Sequence, residues 1–444
     1  MMIYVKRSGL LFFLLLVLNF VLAIFVVVSV DVGGAENLLY KCFLVGMTLL
    51  LGFFCFQGRY KSPLNIPSLV SISVFFFMWA RPFLTIFFDK AVVEAGIVLS
   101  ENSVRQSVVT LALGFIFIVF GYLLSGRLSF ALAGRLVTLS TFTLSRFANG
   151  VIIFLALFSG SFFLIKSFFV AREYIGGDYF EALEDPEFHA HIFTFFIAKS
   201  LLLLWALFGK YSNRLMVISL IWLFFSVGFL MIGLRGYFFI YLFLFVFVYG
   251  VEKRISYVFL VLLGVGSLFF ANVLLEYRLG FQVSSGVLEK ISQTLHGQGA
   301  SFEVLYGAVN FSNELDECLN STAEEFGICV DQVRHINFVS GGFSTSFFAE
   351  AFYQGWIFYI FWCLVFGFFV RVLDSVVFLY KEGRFSGRNQ AFIIFMILSV
   401  VPTLVYFSRS SMYGVLMKFI QVGVVVLVLA VMTMQVKKYC GVPR

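Results

Sequence analysis

Charge is scarce in this sequence: 12% of its 444 residues are Asp, Glu, Lys or Arg, against 61% that are hydrophobic. Soluble domains carry about a quarter charged residues, and this apolar surplus exceeds what a water-surrounded core can bury. A soluble globular protein is excluded. Proline is also rare, with six in the chain, so long apolar stretches run unbroken. There is no Gly-rich phosphate-cradling motif, and the longest loop on the cytoplasmic side has about 22 residues. A nucleotide-driven transporter or kinase, which needs a soluble nucleotide-binding part, is excluded on both counts. No internal repeat or low-complexity tract appears beyond a Phe/Leu/Val bias. The formal net charge of +7 does not point to nucleic acid, because the cations are distributed as membrane topology demands.

The chain consists instead of a succession of apolar runs of the length that crosses a bilayer. They predict twelve spans near residues 9–30, 38–56, 67–88, 106–125, 148–170, 191–208, 215–233, 237–250, 256–273, 347–370, 390–407 and 413–435. The eighth is short, so the pair around Gly233 and Gly236 is tilted or partly re-entrant. The basic N-terminal stretch and the run after it lack a small-residue cleavage site, which predicts an uncleaved first span. Placing alternate loops on opposite sides puts 18 Lys and Arg, with only Glu252, Asp374 and Glu382 as acids, on the side of both termini. The other side holds 21 acids and eight bases. Cytoplasmic termini satisfy the positive-inside rule, and a missed span would have scrambled the tally. Two outer loops stand out: the acidic 171–190, expected to form a helix-bearing flap, and 274–346, expected to fold as a cap over the outer face. Whatever chemistry there is belongs on that side.

Four arginines mark the outer membrane level: Arg81 in WARPFLTIFF, Arg235 in MIGLRGYFF, Arg278 in LLEYRLGF and Arg409 in YFSRSSMYG. Converging guanidinium groups make a fork that suits phosphate or pyrophosphate; the competing reading is that each is snorkelling or ion-paired. Glu350, in FSTSFFAEAFYQGW, stands where the large loop re-enters the membrane. It can act as a general base, bind a sugar hydroxyl or pair with an arginine. His296 and His335 are the two histidines of the large loop, each a further candidate proton acceptor. Neither has partners at metal-ligand spacing, so neither a metal nor another cofactor is expected. Lys166, Lys199 and Lys418 fall within spans and form a second tier that lines a polar passage, snorkels or pairs between helices. Cys318 and Cys329, eleven positions apart in the outer loop, are placed to form a disulfide in an oxidising compartment. Cys42, Cys55, Cys363 and Cys440 read as small apolar fillers.

The layout resembles the Wzy-type O-antigen and oligosaccharide repeat-unit polymerases. The residues that carry the resemblance are the Gly-x-Arg step at 233–235, Ala349-Glu350 with Gly355 opening the next span, and Arg409 before the last one. The sequence departs from the family where Phe352, Tyr353, Gln354 and Gly355 replace an Asn-Phe-Gly-like step. The resemblance implies an all-α polytopic membrane protein of about twelve transmembrane helices, GT-C-like, with one large periplasmic loop, in the bacterial inner membrane. It implies metal-independent glycosyl transfer at the periplasmic face, from a growing undecaprenyl-pyrophosphate-linked glycan to a lipid-linked repeat unit. Partners would be those lipid-linked oligosaccharides, a flippase and a chain-length regulator (a polysaccharide co-polymerase). In that scheme Arg81, Arg235, Arg278 and Arg409 bind pyrophosphate, and Glu350, His335 or His296 accepts the proton. A lipid-linked oligosaccharide flippase and an O-antigen ligase remain as alternatives; the large outer loop weighs against the flippase.

Overall fold

The computed structural model describes residues 2–28, 35–59, 62–87, 101–136, 144–173, 186–208, 214–232, 234–253, 255–279, 286–299, 301–322, 326, 329, 346–383 and 388–439. Among them every regular element is helical. In chain order the first helices are α1 (Met2–Val28), α2 (Ala35–Phe54), α3 (Ile66–Val74), α4 (Ala80–Phe87), α5 (Glu101–Leu124) and α6 (Gly126–Leu136). Then come α7 (Arg146–Glu173), α8 (Pro186–Phe208), α9 (Arg214–Met231), α10 (Arg235–Glu252) and α11 (Tyr257–Leu279). The long loop contributes α12 (Val287–Gln298), α13 (Ser301–Asn310) and α14 (Ser312–Thr322). The chain closes with α15 (Phe347–Tyr353), α16 (Trp356–Lys381), α17 (Arg388–Tyr406) and α18 (Met412–Tyr439).

Each of the twelve predicted stretches is mainly helical where it is described, and among the described residues eight segments are long and apolar enough to cross a membrane. The chain is a polytopic all-α membrane protein. Four further helices carry shorter apolar stretches, Leu11–Val26, Gly236–Glu252, Tyr257–Ser267 and Met412–Val425.

Two predicted boundaries are wrong, for local reasons. The tenth span does not begin at residue 347: Gly355, at φ +102°, breaks the chain between α15 and the crossing helix α16, a backbone region open mainly to glycine. At its other end α16 runs on to Lys381, so Asp374 is not in a cytoplasmic loop. Apolar neighbours from Val370 to Leu379 hold this extension in the core. Asp374 is fully buried, accepting from the Tyr122 hydroxyl (2.8 Å) and the Arg59 amide (3.0 Å), with Arg371 Nη1 at 3.5 Å. A buried carboxylate needs such partners.

The third span is interrupted as well. Asn65 caps α3 with a reciprocal Asn65–Ser68 capping box, but Phe75–Trp79 widens into a π-turn before α4. The extra residue in that turn re-aims the start of α4, Arg81 included.

Helix α5 packs on α16 at very close range. A Cβ at Gly121 would run into the Leu364 carbonyl, and one at Gly367 into that of Ile118; small residues let backbones meet where lipid supplies no hydrophobic drive. Helices α7 to α10 form a second group, and α17 touches α3, α8, α10 and α18, joining the two. At one end of the bundle α12 lies on α4 and α11, α13 on α5 and α15, and Cys318 is disulfide-bonded to Cys329. Of the flap expected at 171–190, residues 174–185 lie outside the described ones, as does most of 323–345.

Candidate functional site

Between α17 and α18 the chain makes one tight 3-10 turn, Phe407–Arg409, and this turn is fixed from three directions. Ser408 donates to the Ser73 carbonyl (2.8 Å), and the two hydroxyls lie 2.9 Å apart, both residues fully buried. Phe407 stacks on Phe366 (4.4 Å between centroids) and meets Phe347 edge-on. Glu350 Oε2 accepts from the Met412 amide (2.8 Å), which places an anion on an otherwise unsatisfied N–H at the positive end of α18.

Arg409 ends the turn, half-buried. Its guanidinium lies 5.8 Å from the Phe77 ring and 5.7 Å from that of Tyr406, and Nη1 donates to Gln298 Oε1 (3.3 Å). Phe77 belongs to the π-turn and Gln298 closes α12, so three elements distant in sequence meet at one cation. Below them is a cavity of about 50 Å³ with Phe76, Phe77, Phe239, Phe243 and Val405 in its walls and Thr294 and Gln298 at its polar end. Gly236, next to Arg235, also lines it and faces Tyr406.

The remaining candidates separate. Arg81 is buried and ion-paired with Glu303, and its Nε donates to the His296 carbonyl (2.9 Å). It ties α4 to α12 and α13 and does not face the cavity beside Arg409. The π-turn, invisible as a pattern in FFFMW, is what turns it there. His296 lies half-buried on α12, two residues before Gln298, and serves Arg81 through its backbone. Arg235 opens α10 beside the cavity and Arg278 ends α11; the side chains of both lie outside the described ones, and His335 lies outside the described residues altogether. Lys166 is exposed on α7, Lys418 is exposed and bonded to Gln421, and Lys199 lies over the Trp222 and Tyr241 rings. Sequence reasoning missed Ser73, Glu303 and Gln298. The only signal for the last was its place in TLHGQG, beside a candidate histidine.

Chemically, the arrangement sets a planar, permanently charged fork beside Gln298 and Phe77 of an apolar cleft, with a carboxylate held on the amide three residues further along the chain. That suits an amphiphile whose anionic head is held at the membrane surface and whose chain lies between helices.

No family model and no solved structure matches the chain. An O-antigen polymerase of Escherichia coli is 28% identical to it over 377 residues, 82% of each chain. The match runs over most of both chains, and on an all-helical membrane scaffold it makes this chain similar to that O-antigen polymerase.

Proposed function

We propose that the protein polymerises undecaprenyl-pyrophosphate-linked oligosaccharide repeat units of a surface polysaccharide, as a metal-independent glycosyltransferase at the periplasmic face of the bacterial inner membrane. The observation that carries this is the position of Arg409: half-buried, hydrogen-bonded to Gln298 and close to Phe77, both of which line an apolar cavity, on a turn held by a fully buried serine pair. The name of the Escherichia coli relative agrees.

In the reaction the acceptor's sugar hydroxyl attacks the anomeric carbon of the donor glycan. The bond from that carbon to the pyrophosphate oxygen breaks, lipid pyrophosphate leaves, and the hydroxyl proton passes to a base. The leaving group is already good, so the protein's task is to hold its charge and align the hydroxyl. Arg409 takes the pyrophosphate, with Arg235, whose backbone adjoins the cleft, and Arg278 as further cations. Glu350 is the base best placed by the described residues, bonded to the Met412 amide three positions beyond Arg409; His296 and His335 are the alternatives. Arg81 holds the scaffold, because Glu303 already neutralises it.

Twelve GT-C-like spans, cytoplasmic termini and a periplasmic cap over residues 274–346 complete the reading. The charge bias supports this orientation, as does the Cys318–Cys329 disulfide, since such bonds persist in oxidising compartments. A flippase supplying repeat units and a chain-length regulator are the expected partners. The test is a gene deletion read by surface-polysaccharide gels. Loss of the ladder with single-repeat material still displayed, restored by the wild-type gene, is the expected result; loss of every repeat would point to a flippase or ligase instead.

A further inference from the structure

Helix α15 carries Glu350, yet at seven residues it is too short to hold a conformation by itself. Gly355, at φ +102°, separates it from α16, so the crossing helix does not set its rotation. One face of α15 packs inward. Phe347, Phe348, Ala349 and Ala351 are buried, and the two phenylalanines lie 5.7 and 5.9 Å from Phe407 between centroids. Apolar contact is non-directional, whereas a hydrogen bond weakens steeply when its donor moves out of line. The rotation of α15 is therefore set by its hydrogen bonds.

Two of these come from side chains one turn apart. Glu350 accepts from the Met412 amide (2.8 Å), and Tyr353 donates its hydroxyl to Asp316 Oδ1 on α14, 37 positions away. Residues at i and i+3 share a helix face, so any rotation of α15 moves Glu350 and Tyr353 together. The Tyr353 ring is gripped as well, by Phe326 edge-on at 5.4 Å. Asp316 stands two residues before Cys318 and Phe326 three before Cys329. The Cys318–Cys329 disulfide thus ties the polar grip to the apolar one. Burial, and then the Asp316 carboxylate, push the Tyr353 hydroxyl up to about 12, so it stays a donor at any pH at which cells grow.

We propose that Tyr353 is a positioning residue for the Arg409 site: gripped by Asp316 and Phe326, it fixes the rotation of α15 at which the Glu350 carboxylate caps the Met412 amide beside the Arg409 turn. The proposal rests on the polymerase reading, in which Glu350 accepts the proton of the attacking hydroxyl. Tyr353 acts through Glu350 and not on the reacting atoms.

Full-length protein in phosphatidylcholine vesicles is read in two ways. Hydrogen–deuterium exchange, resolved at the Met412 amide and measured without substrate, reports the Glu350 contact. Turnover of lipid-linked repeat units extracted from the gene-deletion strain, normalised to monodisperse protein, reports the reaction. Tyr353→Phe keeps the ring and removes the donor; Asp316→Ala, at an exposed position, removes the acceptor. Each should speed exchange at Met412 about tenfold, the scale of one lost hydrogen bond to a charged group, and lower kcat about tenfold with KM little changed. The double variant should be no worse than either single one, since both break the same contact. Asp316→Glu, which keeps a carboxylate, should recover much of the loss, and Glu317→Gln on the same helix should match the wild type in both readouts. Unchanged exchange at Met412 in both single variants overturns the proposal, and so does faster exchange with unchanged kcat. A lower kcat with unchanged exchange overturns it too, because Tyr353 would then act on the substrate itself. Wild-type protein that leaves the extract unpolymerised would sink the polymerase reading, while exchange at Met412 still judges the grip on α15, so each can fail alone.

Discussion

At the scale of single residues, Arg409 and Arg81 look alike in the sequence and differ in their surroundings. Arg409 is half-buried and bonds to Gln298, a residue lining a cleft, whereas Arg81 is buried and ion-paired with Glu303. Arg409→Ala is therefore expected to abolish the long-polymer ladder with near-normal protein abundance. Arg409→Lys should recover little, because a point charge lacks the planar pair of donors; gels and immunoblots of complemented deletion cells check both. For Arg81 the expectation is opposite in kind. Removing one member of a buried pair leaves an uncompensated charge and costs about 3–5 kcal/mol, so Arg81→Met should lower the yield of monodisperse detergent-extracted protein. The double change Arg81→Met with Glu303→Leu should restore the yield and retain polymer, since two apolar residues can replace a buried pair at little cost. Polymer absent from a well-folded double variant would return Arg81 to the substrate clamp.

Among the elements, the α5–α16 contact is the tightest test of the packing. Gly121 and Gly367 each face the partner helix's backbone carbonyl, which has no side chain to move aside. Gly121→Val should therefore separate the helices and reduce membrane-inserted, folded protein, whereas Gly134→Ala on α6, with open space around it, should be silent. Size-exclusion profiles of fluorescent-protein fusions compare the two. The Cys318–Cys329 link closes an eleven-residue separation, and its removal by Cys318→Ala is expected to cost the loop helices about 2–4 kcal/mol, seen as faster proteolysis around α14 with the membrane helices intact. That a disulfide joins this pair was readable from the spacing and the side of the membrane. That α15 and α16 are separate helices was not, because the run from 347 to 370 is apolar on both sides of a single glycine.

For the whole molecule, the proposed reading puts both termini on one side of the membrane and the loop helices on the other. Single cysteines at 440, its natural position, and at an introduced site in α14, such as Glu317→Cys, should react oppositely with a membrane-impermeant maleimide in intact spheroplasts, with Cys440 protected and position 317 labelled. Labelling of both from outside would break the twelve-span topology.

Composition and hydropathy alone determined that this chain lives in a bilayer, where its helices run and which arginines are candidates. Those properties arise from what water and lipid each tolerate, a rule that acts residue by residue along the chain. What surrounds each arginine was decided only by tertiary structure. A five-residue π-turn in FFFMW, a serine pair 335 positions apart and a glutamate 222 positions from Arg81 set where each guanidinium ends up. Such pairings depend on how helices rotate against one another, and the apolar pattern, hydrophobic nearly all around these helices, carries little record of that rotation.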